Sequence, residues 1–198
     1  MRRCTCLIVL LLLTLSGCAG EPDVYAVIQD RAYRPSEFKA TAANKAVRTV
    51  IAGNPFTQST PMRITHNAVL AAMQPVNWWQ PLPFTPKAYF TDMPKGQHNP
   101  RYHVVVALNP DDAGSDWYDA PCAGKGAPPT LGPSENLTAR MYFCRDTAPL
   151  SLSHGTLPAP TSSDDKRFRR MITRMTMALF PQRRDDRNCF NARRKGRC

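Results

Sequence analysis

The sequence has no hydrophobic run long enough to cross a membrane as a helix. Its clearest apolar stretch, Leu7 to Leu15, covers nine residues, whereas a membrane-spanning helix needs about 20. Because this stretch follows Arg2 and Arg3 near the N-terminus, it is typical of a secretory signal. We therefore expect export from the cytoplasm and no membrane-spanning segment.

Motifs that would indicate an enzyme are also missing. The sequence contains no Gly-x-Ser-x-Gly nucleophile elbow, no His-Glu-x-x-His metal motif and no glycine-rich loop for phosphate. It has no Cys-x-x-Cys pair, which argues against a structural zinc site. We accordingly predict no catalytic residue, no metal and no cofactor.

Acidic residues are scarce at the C-terminal end. From Lys166 onward there are 12 basic and 2 acidic residues, whereas residues 18–165 hold 12 basic and 13 acidic ones. The formal net charge of +11 therefore comes almost entirely from this end. Seven basic residues follow residue 182: Arg183, Arg184, Arg187, Arg193, Arg194, Lys195 and Arg197.

This basic tail, residues 182–198, is the candidate anion-binding site. In the periplasm the available polyanions are lipid headgroups, lipopolysaccharide phosphates and acidic proteins. Nucleic acid is not expected as a partner, because an exported protein does not meet it. The alternative is a solvated tail that only aids solubility.

The residues Leu15-Ser16-Gly17-Cys18 end the apolar stretch and match a bacterial lipobox. We predict that residues 1–17 form a lipoprotein signal peptide and that Cys18 is acylated, with palmitate among its chains. Several acyl chains, each contributing ~0.8 kcal/mol per buried methylene, would make attachment effectively permanent. The alternative is an ordinary secretory signal cleaved after Ala19. Because Ala19 stands where an aspartate would retain a lipoprotein at the inner membrane, the periplasmic face of the outer membrane is favoured.

Four cysteines remain once the signal residues and Cys18 are set aside: Cys122, Cys144, Cys189 and Cys198. An even number in an oxidising compartment predicts two disulfides. Of the three possible pairings we favour Cys122–Cys144 and Cys189–Cys198. The first would close a loop of moderate length and the second would staple the basic tail.

The hydrophobic pattern predicts an α+β domain over residues 36–181, preceded by a tether at 18–35. Strands are expected at 37–41, 46–52, 88–91, 101–108, 137–145 and 150–155. A helix is expected at 61–74, burying Ile64, Val69 and Met73 or their neighbours. A second helix is expected to begin after a Ser162 or Ser163 cap, with an apolar stripe at three- and four-residue spacing: Phe168, Met171, Ile172, Met175 and Leu179. We expect a mainly antiparallel sheet with two helices packed on one face and a disulfide stapling a loop to it.

Several stretches of the mature chain resemble uncharacterised small proteobacterial lipoproteins. They are the lipobox, the segments 50–56 and 102–110, and Phe143-Cys144-Arg145. The resemblance implies that residues 36–181 form one domain. It implies no activity, since none is assigned to these proteins.

The histidines show no pattern that is diagnostic of catalysis or metal binding. His66 lies in a predicted helix and His103 in a predicted strand, where structural roles are common, and His98 and His103 lack a diagnostic metal spacing. Ser151, Ser153 and His154 are close in sequence, but adjacency on one strand does not make a triad.

We interpret the chain as a membrane-anchored envelope lipoprotein, most simply a non-enzymatic binding or assembly module. One alternative is a periplasmic hydrolase or small-ligand-binding protein that uses the loops at 53–61 and 92–103. Another is a purely structural lipoprotein whose basic tail has no partner.

Overall fold

The computed structural model describes residues 20–36, 39, 45–56, 60–73, 84–85, 98–111, 118–123 and 130–181. These ranges contain six strands and two helices. The strands are β1 (Asp23–Gln29), β2 (Ala46–Ala52), β3 (Phe84–Thr85), β4 (His98–Leu108), β5 (Asn136–Arg145) and β6 (Ala148–Pro158); the helices are α1 (Met62–Met73) and α2 (Lys166–Leu179). The predicted strand at 88–91 falls outside the described residues. Of the predicted strand at 37–41 only residue 39 is described, and it is helical rather than extended, so the strand prediction is wrong there.

The strands form one sheet in the order β1-β6-β5-β4-β2-β3. β1, β6, β5 and β4 are antiparallel neighbours, whereas β2 runs parallel to both β4 and β3. β5 and β6 form a hairpin, whose turn places Asp146 at a φ of 54°. The predicted α+β class with a mainly antiparallel sheet is confirmed.

The main core lies between the sheet and the two helices, as predicted. α2 contributes the apolar stripe that its three- and four-residue spacing indicated: Phe168, Met171, Ile172, Met175 and Leu179 are all fully buried. Facing them are alternate residues of the long strands, including Val104, Val106, Met141 and Phe143. Both helices therefore bury their apolar sides against the same face of the sheet.

The opposite face of the sheet carries a smaller core that includes the predicted disulfide. Cys122, in a turn at 118–123, is bonded to Cys144 of β5, with their Cα atoms 5.5 Å apart. Tyr118 from the same turn packs with Val105 and Tyr142 over this face. The disulfide thus fastens a loop segment to a central strand, which confirms the predicted Cys122–Cys144 pairing.

The segment predicted as a tether contains a strand of the sheet. β1 pairs antiparallel with β6, with Asp23 opposite Thr156 and Gln29 opposite Ser151. The prediction of a tether over 18–35 is therefore wrong for β1, since its backbone bonds extend the sheet by one edge strand. The described domain begins at Gly20 rather than at residue 36.

Two local predictions about the helices also need correction. Ile64 is 46% exposed, and Thr65 is buried in its place because its hydroxyl donates to Asn54 Oδ1 at 3.0 Å. α2 is capped by Asp165, whose Oδ1 accepts from the backbone N–H of Arg167 at 2.8 Å, rather than by Ser162 or Ser163.

The turn after β2 depends on a glycine. Gly53 has a φ of 88°, and a Cβ at this position would lie 2.2 Å from the Leu108 carbonyl oxygen. Only glycine avoids both the strain of this backbone region and the clash with β4. The parallel strands β2 and β4 can therefore end side by side only with glycine here.

Gly53→Ala should lower the free energy of unfolding by about 2–4 kcal/mol, since backbone strain and overpacking add. Gly132→Ala is the matched control, because a Cβ at Gly132 meets nothing within 4 Å. Urea unfolding of the two variants measures the difference. Equal stabilities would contradict the role assigned to Gly53.

Replacing Cys122 and Cys144 together by alanine should destabilise the domain by ~3 kcal/mol, because the bond closes a loop with a sequence separation of 22. Thermal unfolding under non-reducing conditions measures this loss. Replacing Cys189 and Cys198 by serine is the control, for which we expect an unchanged domain transition. Peptide mapping that failed to recover a Cys122–Cys144 crosslink would contradict the assignment.

Candidate functional site

The chain that leads from the predicted acylation site is held along one side of α2. Arg167 Nη1 donates to the Gly20 carbonyl oxygen at 3.5 Å, and Arg174 Nη1 donates to the Pro22 carbonyl oxygen at 3.2 Å. Between them, the guanidinium of Arg170 pairs with the carboxylate of Glu21. Three arginines on successive turns of the helix thus fix residues 20–22 to the domain.

These arginines occupy the side of α2 that faces away from the core. The apolar stripe of the helix is buried in the sheet, so the intervening basic positions are turned outward. The hydrogen bond from Arg170 lowers the pKa of Glu21, so this carboxylate is ionised near neutral pH. The sequence shows the basic positions but gives no sign that residues 20–22 contact them.

The start of α2 is tied together by its own ion pairs. The guanidinium of Arg167 lies 2.8 Å from the carboxylate of Asp165, which lowers the pKa of that carboxyl group. Arg169 pairs with Asp164. The cap and its arginine hold the first turn of the helix in a fixed orientation beside Gly20.

The two ends of α2 lie at opposite ends of the domain. At its start, Arg167 Nη2 donates to the Ala159 carbonyl oxygen at 3.3 Å, just beyond the last residue of β6. At its C-terminal end, the Ser151 hydroxyl donates to the Leu179 carbonyl oxygen at 2.6 Å, and Ser151 lies near the beginning of β6. With 14 residues the helix is ~21 Å long. Gly20 therefore lies beside one end of α2, and Pro181 lies beside the other.

Most of the predicted site residues lie outside the described residues. These are the signal peptide 1–17, Cys18, Cys189, Cys198 and all seven basic residues of the tail. The structure places the residues next to them instead: Gly20, and Pro181, whose carbonyl accepts from the Tyr33 hydroxyl at 3.2 Å. The predicted Cys189–Cys198 pairing stays a prediction.

The structure does not bring the histidines of the described residues together into one site. The His66 imidazole bonds to the backbone of Gly53, His103 lies opposite Cys144 in the sheet, and His154 lies opposite Arg140. Ser151 and His154 project from opposite faces of β6, since side chains alternate along a strand. The Ser151 hydroxyl is already used by α2.

Two asparagines, one in the segment 50–56 and one in the segment 102–110, are structural. Asn109 Oδ1 accepts from the Thr138 N–H at 2.9 Å, and its Nδ2 donates to the Gly132 carbonyl at 3.0 Å. Asn54 Nδ2 donates to the Thr60 carbonyl at 2.7 Å. These hydrogen bonds fix the chain where the parallel strands β4 and β2 end. Both asparagines therefore stabilise the fold.

Within the described ranges the structure has neither a metal-binding cluster nor a membrane-spanning helix. No group of three or more His, Cys, Asp or Glu side chains there is arranged to hold a metal ion. None of the helices in those ranges is long and apolar enough to cross a membrane.

Comparison with known proteins gives a likeness of fold. No family model matches the chain, and no curated protein matches it. Among solved structures it is similar to a PelC dodecamer from Paraburkholderia phytofirmans in space group P6, with 12% identity and a TM-score of 0.44 over 82% of this chain and 99% of that one. A point-variant PelC dodecamer from the same organism, in space group C2, gives 11% identity and 0.43 over 81% and 99%. These values concern the fold alone and say nothing about the function or assembly of this chain.

His103 is almost fully buried in the sheet, with 8% of its surface exposed. Burial lowers the pKa of its imidazole to about 4, with the nearby charge of Arg48 acting in the same direction and Asp146 opposing it. The folded protein therefore keeps His103 neutral where the unfolded chain, with a pKa near 6.5, takes up a proton.

Stability should fall as the pH drops from 6.5 to 4, by roughly 2–3 kcal/mol from His103 alone, because the unfolded state binds the proton first. Above pH 6.5 this penalty is absent. His103→Gln should flatten the dependence in this window, measured by urea unfolding at a series of pH values. His154→Gln is the control and should keep the slope; an unchanged slope in His103→Gln would contradict the assignment.

Proposed function

We propose that this protein is a lipid-anchored component of the cell envelope that acts as a non-enzymatic binding or assembly module. Acylated Cys18 would hold it at the periplasmic face of a membrane, with the outer membrane favoured. The basic tail 182–198 would bind an anionic envelope lipid or an acidic protein. The observation that carries the proposal is the placement of Gly20 and Pro181 at opposite ends of α2.

The N-terminal end is close to the predicted anchor. Gly20 is two residues from Cys18 and is bonded to Arg167. The tail begins after Pro181, about one helix length away, or ~21 Å. A domain built in this way separates its membrane attachment from its basic tail, as a module that bridges a membrane and a partner requires.

Several polar groups that might have suggested catalysis are used by the scaffold. The Ser151 hydroxyl binds the last carbonyl of α2, and the amides of Asn54 and Asn109 bind backbone groups of neighbouring loops. Their partners are internal, so they stabilise the fold. This use of the polar side chains supports a binding module over the hydrolase alternative.

Cells expressing the full-length protein should incorporate an alkyne-tagged palmitate into it, and the protein should sediment with membranes. Cys18→Ser should abolish labelling, because no acyl acceptor remains, and should abolish sedimentation at high salt, which screens any binding of the basic tail to anionic lipid. Cys6→Ser, within the predicted signal peptide, is the control and should label normally. Unlabelled wild-type protein in the soluble periplasmic fraction would support the ordinary secretory signal instead.

Neutralising the seven basic residues of the tail to glutamine should weaken binding of the unacylated Cys18→Ser protein to phosphatidylglycerol vesicles. Each basic residue near an anionic surface contributes about 1 kcal/mol, so we expect at least a tenfold loss. Asp185→Asn with Asp186→Asn is the control and should bind at least as well as the parent. Unchanged binding after neutralisation would remove the tail from the proposal.

Crosslinking in intact cells, followed by mass spectrometry, would identify what the tail contacts. A crosslinked partner that disappears when the tail is neutralised would support an acidic protein. Crosslinks that persist would place the contact elsewhere on the domain.

A further inference from the structure

The reach of the chain limits how far the domain can stand from its membrane. Only Ala19 separates Cys18 from Gly20, and two residues span at most about 7 Å. Gly20 is itself bonded to Arg167 in the first turn of α2. If Cys18 is acylated, as the proposed function requires, its acyl chains begin beside the start of α2 with no long tether between.

That region of the surface is basic. We define the basic end of α2 as its four exposed cationic residues nearest the N-terminal segment: Lys166, Arg169, Arg170 and Arg174. Together with Arg167 they outnumber the three carboxylates that they face: Asp164, Asp165 and Glu21. The surplus is two positive charges, and the helix dipole adds positive potential at the same end.

The ion pairs of the basic end can exchange partners. The side chains of Arg169, Arg170 and Arg174 are each about half exposed, at 53%, 47% and 50%. Exposed ion pairs are weak and are screened by salt. Their guanidinium groups can therefore contact phosphate oxygens, which they bind in a bidentate manner, without the loss of a buried interaction.

We propose that the basic end of α2 lies against the phosphates of anionic phospholipid headgroups in the leaflet that holds the acyl chains of Cys18. The short link forces this end toward the membrane, and its charge complements an anionic lipid surface. α2 then lies at a tilt, with its start nearest the lipid and with Arg174, about two turns further along, still within reach of the phosphates. The far end of the domain, with Arg31, Lys45 and the start of the basic tail, faces the periplasm.

The test uses the full-length acylated protein, purified from membranes and reconstituted into vesicles of phosphatidylcholine alone or with phosphatidylglycerol. Arginines are modified with a phenylglyoxal reagent and counted by peptide mass spectrometry. We expect Arg169, Arg170 and Arg174 to be modified about threefold more slowly, or slower still, on the anionic vesicles. Arg31 should react equally on both.

A charge-reversal pair separates the lipid contact from the contact with the N-terminal segment. Lys166→Glu with Arg169→Glu leaves Arg170, Arg174 and their contacts with residues 20–22 intact, and acidic residues suit the first turn of a helix. This variant should lose the protection of Arg170 and Arg174. Arg31→Glu with Lys45→Glu makes the same charge change at the far end and should keep it.

Equal modification of the three arginines on both vesicles would overturn the proposal, as would protection that survives Lys166→Glu with Arg169→Glu. Protection of Arg31 to the same extent would also overturn it, since the far end would then face the lipid. If inorganic phosphate protects the three arginines on vesicles of phosphatidylcholine alone, the basic end of α2 binds free anions rather than lipid headgroups, and the proposal is overturned. Palmitate labelling is read separately: an acylated Cys18 with no protection refutes this proposal alone, whereas an unacylated Cys18 refutes the proposed function as well.

Discussion

The contact between α2 and β6 sets the position of everything else in the described domain. A Cβ at Gly155 would lie 2.7 Å from the Met175 sulfur and 3.1 Å from Met171 Cγ, so the helix packs directly on the strand backbone. Because the core is close-packed, the helix cannot turn about its axis without leaving a cavity. Its outward side is thereby fixed, and that side carries the arginines which hold residues 20–22.

This arrangement gives the molecule two different ends. One end gathers the start of α2, the end of β6 and the N-terminal segment, and the other gathers Tyr33, the β5–β6 turn and Pro181. The disulfide between Cys122 and Cys144 adds a covalent restraint on the face of the sheet away from the helices. The domain is therefore suited to transmit a fixed orientation from an anchor to a tail, which is what the proposed function requires of it.

Much of the fold could be predicted because its signals are local. The apolar spacing of α2 and the strand pattern at 137–145 each occur within one element, and each has the predicted secondary structure. Predictions failed where a contact with a distant residue decided the outcome. Thr65 replaces Ile64 in the interior because Asn54 accepts its hydrogen bond, and 18–35 contains a strand because β6 offers it a free edge.

The sequence by itself determined the types of β2, β4, β5, β6 and both helices, the Cys122–Cys144 candidate pair and the concentration of positive charge from Lys166 onward, because composition and periodicity are properties of neighbouring residues. The lipidation of Cys18 and the role of the tail are still proposals. Only the tertiary structure decided that Glu21 meets Arg170, 149 residues further along the chain, and that Gly20 and Pro181 lie at opposite ends of α2. Such contacts depend on how helix and sheet pack together, and no local pattern in the chain specifies that packing.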